Sequence, residues 1–252
     1  MSDLELDRSY RLGDTGQKVR LIQEWLCLNR EAVLIDGTFG PATDCAVRRF
    51  QKYRRIRRDG VVGPITFAAL IRPMTNALRP LAAKGAEKHP LGGLVCLYAY
   101  RHWKSQPREI GGQNKGPWVR LYMDGRQGPE WPWCAGFVCF LLRQACKTLG
   151  VDLPLTPSVS CDALAAGARE RGLFLAGAPG LDPGRITPGC LFLNRGAGDG
   201  WNHTGIVLGC QTTRGAVVLE TMEGNTNDDG SREGYDVCHR WRDALNKDFI
   251  VV

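Results

Sequence analysis

The chain has 252 residues, room for one large domain or two small ones. With 43% hydrophobic and 23% charged residues it has the balance of a folded globular protein, which excludes a disordered polymer. The net charge of +7, from 33 Lys+Arg against 26 Asp+Glu, favours an anionic partner without choosing among nucleic acid, acidic lipid and a phosphate-bearing polymer. No run of about 18 apolar residues is present, so no membrane span is expected. The acidic start, Met1-Ser2-Asp3-Leu4-Glu5-Leu6-Asp7, lacks the apolar core of a secretory signal. Synthesis in the cytoplasm is the expectation, and any role outside needs separate delivery.

A first helix is predicted after Asp14-Thr15-Gly16, with Val19, Ile22 and Leu26 on one face. An approximate repeat follows. Asp36-Gly37-Thr38-Phe39-Gly40-Pro41-Ala42-Thr43 returns as Asp59-Gly60-Val61-Val62-Gly63-Pro64-Ile65-Thr66. Each copy reads as a turn feeding a helix: Asp-Gly makes the turn, Gly40 or Gly63 is the expected positive-φ position, and Pro41 or Pro64 suits the first helical turn. Helical spacing continues through Val47, Phe50 and Gln51, and again through Phe67, Leu70 and Ile71. The arginine-rich stretch from Arg48 to Arg58 reads either as a contact for anionic polymer or as a solvated helix face, the second being the commoner outcome. Pro73, Pro80, Gly85 and Pro90 then mark a connecting region.

The apolar run Leu94-Val95-Cys96-Leu97-Tyr98-Ala99-Tyr100 opens a second segment, long enough for its own core. Ten cysteines, from Cys27 to Cys238, are spread over both segments with no C-x-x-C pair and no zinc-finger spacing. Several occupy positions suited to a small apolar residue, such as Cys190 before Leu191-Phe192-Leu193, so most are expected to be reduced, buried fillers. Cys134 is different. Trp131-Pro132-Trp133-Cys134-Ala135-Gly136-Phe137-Val138 leads into an apolar helical run, which puts Cys134 in a first turn. Unpaired N–H groups and the helix dipole there stabilise a thiolate, the arrangement of a cysteine nucleophile.

A nucleophile needs a base. Of the four histidines, His89 precedes a proline in the connecting region, His239 sits in a charged tail, and His102 has no supporting pattern. His203 opens the strand-like His203-Thr204-Gly205-Ile206-Val207-Leu208-Gly209. The next strand, Ala216 to Met222, leads into Glu223-Gly224-Asn225, so antiparallel pairing brings Glu223 or Asn225 beside His203 to orient it.

Two stretches resemble known families. Leu12-Gly13-x-x-Gly16-x-x-Val19-x-x-Ile22-Gln23-x-x-Leu26, with both Asp-Gly-x-x-Gly-Pro-x-Thr loops, resembles the small helical peptidoglycan-binding domain of wall hydrolases. Trp133-Cys134-Ala135-Gly136-Phe137-Val138 resembles the nucleophile motif of the CHAP family, the cysteine- and histidine-dependent amidohydrolases of the papain-like and NlpC-type group. Pro188-Gly189-Cys190-Leu191-Phe192 is similar to that family's Pro-Gly-Asp strand start, with Cys190 in place of the acid. His203 to Val207 matches the histidine strand, Glu223 to Asn227 the final polar pair, and Glu109 to Val119 the opening helix.

The resemblance implies an α+β protein: a small N-terminal three-helix bundle (1–75), a linker (76–92) and a papain-like helix-plus-antiparallel-sheet catalytic domain (93–252). It implies Cys134 as nucleophile, His203 as base and Glu223 and Asn225 as its partners, with Trp133 and Trp201 as candidate substrate contacts. The substrate implied is bacterial peptidoglycan, cut as an N-acetylmuramoyl-L-alanine amidase or as a stem or crossbridge endopeptidase, by a monomer without nucleic-acid partner. No metal or organic cofactor is implied; Asp228 and Asp229 form a candidate calcium pair without regular ligand spacing. Release by a phage holin or dedicated secretion as an interbacterial effector would deliver it to the wall. The rival readings are a wall-binding protein with a degenerate CHAP-like domain, a papain-like acyltransferase, and a nucleic-acid binder using Arg48–Arg58; no aromatic stacking pattern supports the last.

Overall fold

A buried glutamine closes each Asp-Gly loop in the computed structural model, which describes residues 3–81, 90–178, 181–227 and 234–252. On α1 (Gln17–Leu28), Gln23 Nε2 reaches Asp36 Oδ1 at 2.9 Å, the Thr38 carbonyl at 3.0 Å and Thr43 Oγ1 at 3.2 Å, while its Oε1 accepts the Gly37 N–H at 2.8 Å. On α2 (Pro41–Arg54), Gln51 makes the same four contacts with Asp59, the Val61 carbonyl, Thr66 and the Gly60 N–H. The sequence repeat is therefore a repeat of one clamp. Positive φ falls on Gly37 (81°) and Gly60 (75°), where the N–H must turn inward to the glutamine. Gly40 and Gly63, the expected positions, are instead extended residues capping α2 and α3 (Pro64–Leu78), each of which opens on its proline.

Replacing Gln51 with Ala should cost about 2–3 kcal/mol, because it strands several buried partners at once. Chemical denaturation of the full chain measures this; a loss below about 0.5 kcal/mol would show that the clamp is not structural.

The helix α3 runs through Pro73 to Leu78, past the expected end of the bundle. Its buried stripe of Phe67, Leu70, Ile71, Met74 and Ala77 keeps the helix in register, so packing outweighs the missing proline N–H. On α2, Val47 and Phe50 face the core. Arg48 pairs with Asp44 at 2.8 Å, Arg49 with Glu31 at 2.8 Å and Arg57 with Asp59 at 3.5 Å, so much of the arginine stretch is a paired outer face.

The second segment is α4 (Leu91–Lys104), α5 (Pro117–Tyr122), α6 (Cys134–Leu149) and α7 (Cys161–Glu170), then a six-stranded antiparallel sheet. Its strands are β1 (Phe174–Leu175), β2 (Leu191–Arg195), β3 (Trp201–Thr213), β4 (Ala216–Thr226), β5 (Asp236–Asp243) and β6 (Lys247–Ile250), in the order β1-β6-β2-β3-β4-β5. The fold is α+β, with helices preceding the sheet. Alternation sets the two faces: Leu191, Leu193, Ile206 and Ile250 join the main helical core, while Cys190, Phe192, Val207 and Phe249 form a smaller cluster on the other side. No helix among the described residues is long and apolar enough to cross a membrane.

The opening helix expected over Glu109 to Val119 is a loop until Pro117. Gly111, Gly112, Asn114 and Gly116 all have positive φ (79°, 128°, 51° and 109°), a run no right-handed helix accommodates. The two segments share one continuous core, from Val19 and Leu70 through Tyr98 to Phe137 and Leu191. Arg120 on α5 ties them further, meeting Glu24 of α1 and Asp3 at 2.7 Å each, while Arg108 donates to the Cys27 carbonyl and Gln144 to the Ala77 carbonyl.

Candidate active site

Cys134 is the first residue of α6, capped by Trp133, so the helix starts two residues after Pro132 and presents its free N–H groups at the thiol. The α6 helix packs on β3 and β4, and this places Cys134, only 5% exposed, against the start of the histidine strand. The position needs small neighbours. A Cβ on Gly224 of β4 would stand 2.8 Å from both the Phe137 and Trp133 side chains. Gly224→Ala should therefore push the start of α6 off the sheet, costing about 1–3 kcal/mol and disturbing Cys134. An unchanged melting temperature together with full activity would count against this packing.

His203, on β3, is 6% exposed, and its Nε2 pairs with Glu223 Oε2 of β4 at 2.9 Å. That leaves Nδ1, buried and without a conventional hydrogen-bond partner, as the nitrogen available to the Cys134 thiol. Glu223 is 0% exposed; its Oε1 accepts from the Thr221 hydroxyl at 2.7 Å, and Arg242 of β5 holds both oxygens at 2.5 and 2.6 Å. The Cys161 thiol, at the first residue of α7, is hydrogen-bonded to Cys134. Asp162 fixes that helix to the site by accepting the Trp201 N–H at 2.8 Å.

These contacts set the charges. Hydrogen bonding from Cys161, then from His203 and the Thr204 backbone, holds the Cys134 thiol well below its ordinary value although burial acts the other way. Cys161 is driven up by the same contact and stays a thiol. Burial disfavours the His203 imidazolium, yet its bonds to Cys134 and Glu223 raise it to about 9. Burial also opposes charge on Glu223, but His203 and Arg242 hold it at about 2. The arrangement favours a thiolate–imidazolium pair backed by a carboxylate.

The other expected residues divide. Asn225 is buried with φ 57°, two residues beyond Glu223 on β4, and it is Glu223 that bonds His203. Trp133 is 0% exposed, stacked on Tyr122 with its Nε1 donating to Glu109 at 2.9 Å. It is a core residue, a correction to the expected substrate contact: the ring has no surface to offer. Trp201 keeps some exposure, with its Nε1 on Asp248 and its ring between Phe174 and Arg169. His102 is a satisfied core histidine between Tyr122 and Gln144, pushed down to about 4 by burial. His239 pairs with Glu220 at 2.7 Å. His89, Asp228 and Asp229 lie outside the described residues. No disulfide is formed among the described cysteines, and six of the ten are buried, including Cys190 beside Thr187. The sequence reading missed Cys161, Thr221 and Arg242. Cys161 and Arg242 reach the site through long-range packing and strand pairing and leave no local pattern, whereas Thr221 lies two residues before Glu223 on the same strand face, a period-2 signal that could have marked it.

Comparison with a family model bears on the helical unit. Residues 15–70 match the family described as "Putative peptidoglycan binding domain". A stretch of 78 residues is 35% identical to the zinc D-Ala-D-Ala carboxypeptidase of Streptomyces albus G, covering 30% of this chain and 31% of that protein. Another of 71 residues is 42% identical to an uncharacterized protein in the bpoA1 3′ region of Kitasatospora aureofaciens, covering 27% of this chain and 59% of that protein. The chain thus spans under a third of the first relative and under two thirds of the second. Among solved structures, the Burkholderia AP3 phage endolysin is 26% identical with a TM-score of 0.25, over 48% of this chain and 43% of that one. The three helices and two clamped loops at the N-terminus carry the motifs and the family match of a peptidoglycan-binding domain.

Proposed function

We propose that this protein is a cell-wall hydrolase that cuts an amide bond of bacterial peptidoglycan with Cys134 as nucleophile. The observation that carries the reading is the alignment of Cys134 at the start of α6 with His203, whose far nitrogen is held by Glu223. The peptidoglycan-binding match over residues 15–70 supports the substrate, as does the partial likeness to a D-Ala-D-Ala carboxypeptidase.

In this reading His203 and Cys134 exist as imidazolium and thiolate. The thiolate attacks the amide carbonyl, and backbone N–H groups at the start of α6 stabilise the oxyanion. His203 then protonates the leaving amine and activates water to release the acyl group from sulfur. Glu223 keeps the imidazole oriented, Asn225 lines the same strand end, and Trp201 offers a rim for sugar or stem peptide. Side chains and backbone N–H groups supply each step, so no metal or organic cofactor takes part. The protein acts as a monomer, reaching the wall as a phage lysin or a secreted effector.

Digestion of purified peptidoglycan, with fragments weighed by mass spectrometry, tests the reading. Release of peptide-free glycan identifies the muramoyl–L-alanine amidase, and cleaved stems or crossbridges identify the endopeptidase. Undigested sacculi with folded protein would refute both, and fragments carrying an added amine would reveal an acyltransferase.

The pH dependence has a worked sign. Activity should rise as Cys134 loses its proton, well below the ordinary thiol range, and fall as His203 loses its own through about 9. A kcat/KM profile already falling at pH ~7, near the unperturbed imidazole value, would contradict the assignment of base.

A further inference from the structure

A carboxylate as buried as Glu223, facing a single imidazole, would ordinarily be prone to protonation, because burial penalises its charge. A second cation prevents this. The Arg242 Nε meets Oε1 at 2.5 Å and its Nη2 meets Oε2 at 2.6 Å, a two-point fork that fixes the carboxylate plane as well as its charge. The register shows how far the side chain travels. Arg242 stands opposite Leu219 and Thr221 opposite Arg240, so the guanidinium runs back along one face of the sheet, past Thr221, to reach Glu223. Thr221 fills the remaining position on Oε1. Glu223 therefore has each oxygen doubly engaged, with His203, raised to about 9, as the partner that gives up its proton most readily.

We propose that Arg242 is a positioning residue of the active site: its fork locks both oxygens of Glu223, so that the carboxylate stays charged and aimed at His203 Nε2. This rests on the reading of Cys134 and His203 as the reacting pair, and Arg242 acts on that pair only through Glu223. The other charged or titratable groups bearing on it are Cys161 beside Cys134, and Cys238, Asp243 and Lys247 around Arg242. Asp243 and Lys247 stand 3.7 Å apart and largely offset each other, so Arg242 is the cation that Glu223 depends on.

The test uses full-length Arg242→Gln and Arg242→Lys proteins. Iodoacetamide alkylation of Cys134, followed by peptide mass spectrometry across pH, reads the thiolate directly and needs no wall substrate. With the fork gone, Glu223 takes up a proton at higher pH, the imidazolium loses its counter-ion, and the acid-side midpoint of alkylation should rise by about one pH unit or more in the Gln variant. On purified peptidoglycan kcat should fall at least tenfold with KM little changed. Lysine keeps the charge but loses the two-point geometry, so its midpoint should lie between the other two. A Gln variant with the wild-type midpoint and kcat, even if it melts earlier, would overturn the proposal, because a merely structural arginine moves stability alone. Should the Gln variant fail to fold, the Lys variant decides: an unchanged midpoint and kcat overturn the role. If wild-type Cys134 alkylates like an ordinary thiol, near pH ~8.5, the underlying reading of the site fails and the proposal with it. A low wild-type midpoint with no response to Arg242 sinks the proposal alone.

Discussion

Cys134→Ser should abolish peptidoglycan hydrolysis, by on the order of 10³-fold or more, and leave the protein folded and bound to the wall. The hydroxyl occupies the space of the thiol at a site only 5% exposed, and serine is well tolerated at a helix start. What it cannot do is hold a negative charge beside His203, because its proton is far harder to remove. The purified variant should co-sediment with sacculi as the wild type does while turbidity stays constant. Residual activity near wild type would remove Cys134 from the mechanism, and lost co-sedimentation would mean that the site and the helical unit depend on each other.

The second large effect is expected at His203. His203→Ala should lower kcat by ~10²–10⁴-fold, the range for a missing general acid–base. The Glu223–Arg242 pair survives that change, so stability should suffer modestly. Glu223→Gln reverses the balance. It spares the proton carrier, so activity falls less, but it leaves Arg242 without its counter-charge in a largely buried setting, and stability falls by about 3 kcal/mol. Measuring both quantities for both variants separates the roles; equal losses in kcat would put Glu223 in the proton transfer itself.

The placement of Cys134 at a helix start was legible because its signal is local: an aromatic–Pro–aromatic stretch, a cysteine and an apolar helix lie next to one another in sequence. His203 and Glu223 were legible because two neighbouring strands joined by a short turn must pair. Arg242 was not, since its role depends on the register of β5 against β4, which no single segment encodes. Trp133 was misjudged for a related reason. A tryptophan beside a nucleophile looks the same whether it turns outward or inward, and here Tyr122 and Glu109 draw it in. The glycines of residues 111–116 mark a loop by their conformation, although the motif around them resembles a helix. Residues rich in Pro and Gly mark a linker in the sequence, yet the Arg120–Glu24 pair and a shared core join the two segments.

The paired glutamine clamps change what the repeated motif can be said to encode. Its aspartates, first glycines and threonines spend their hydrogen bonds on Gln23 and Gln51, and its prolines start helices. The motif is thus a set of instructions for a turn, written twice, with most of its letters already used up in making that turn. Recognition of a sugar or peptide must be written in other letters, on side chains the clamps leave outside, such as the exposed Leu12, Leu34, Tyr53 and Ile65. Two proteins with identical clamps can then differ in what they hold, and scanning those four positions, not the clamped residues of the repeat, is where differences in wall preference should be sought.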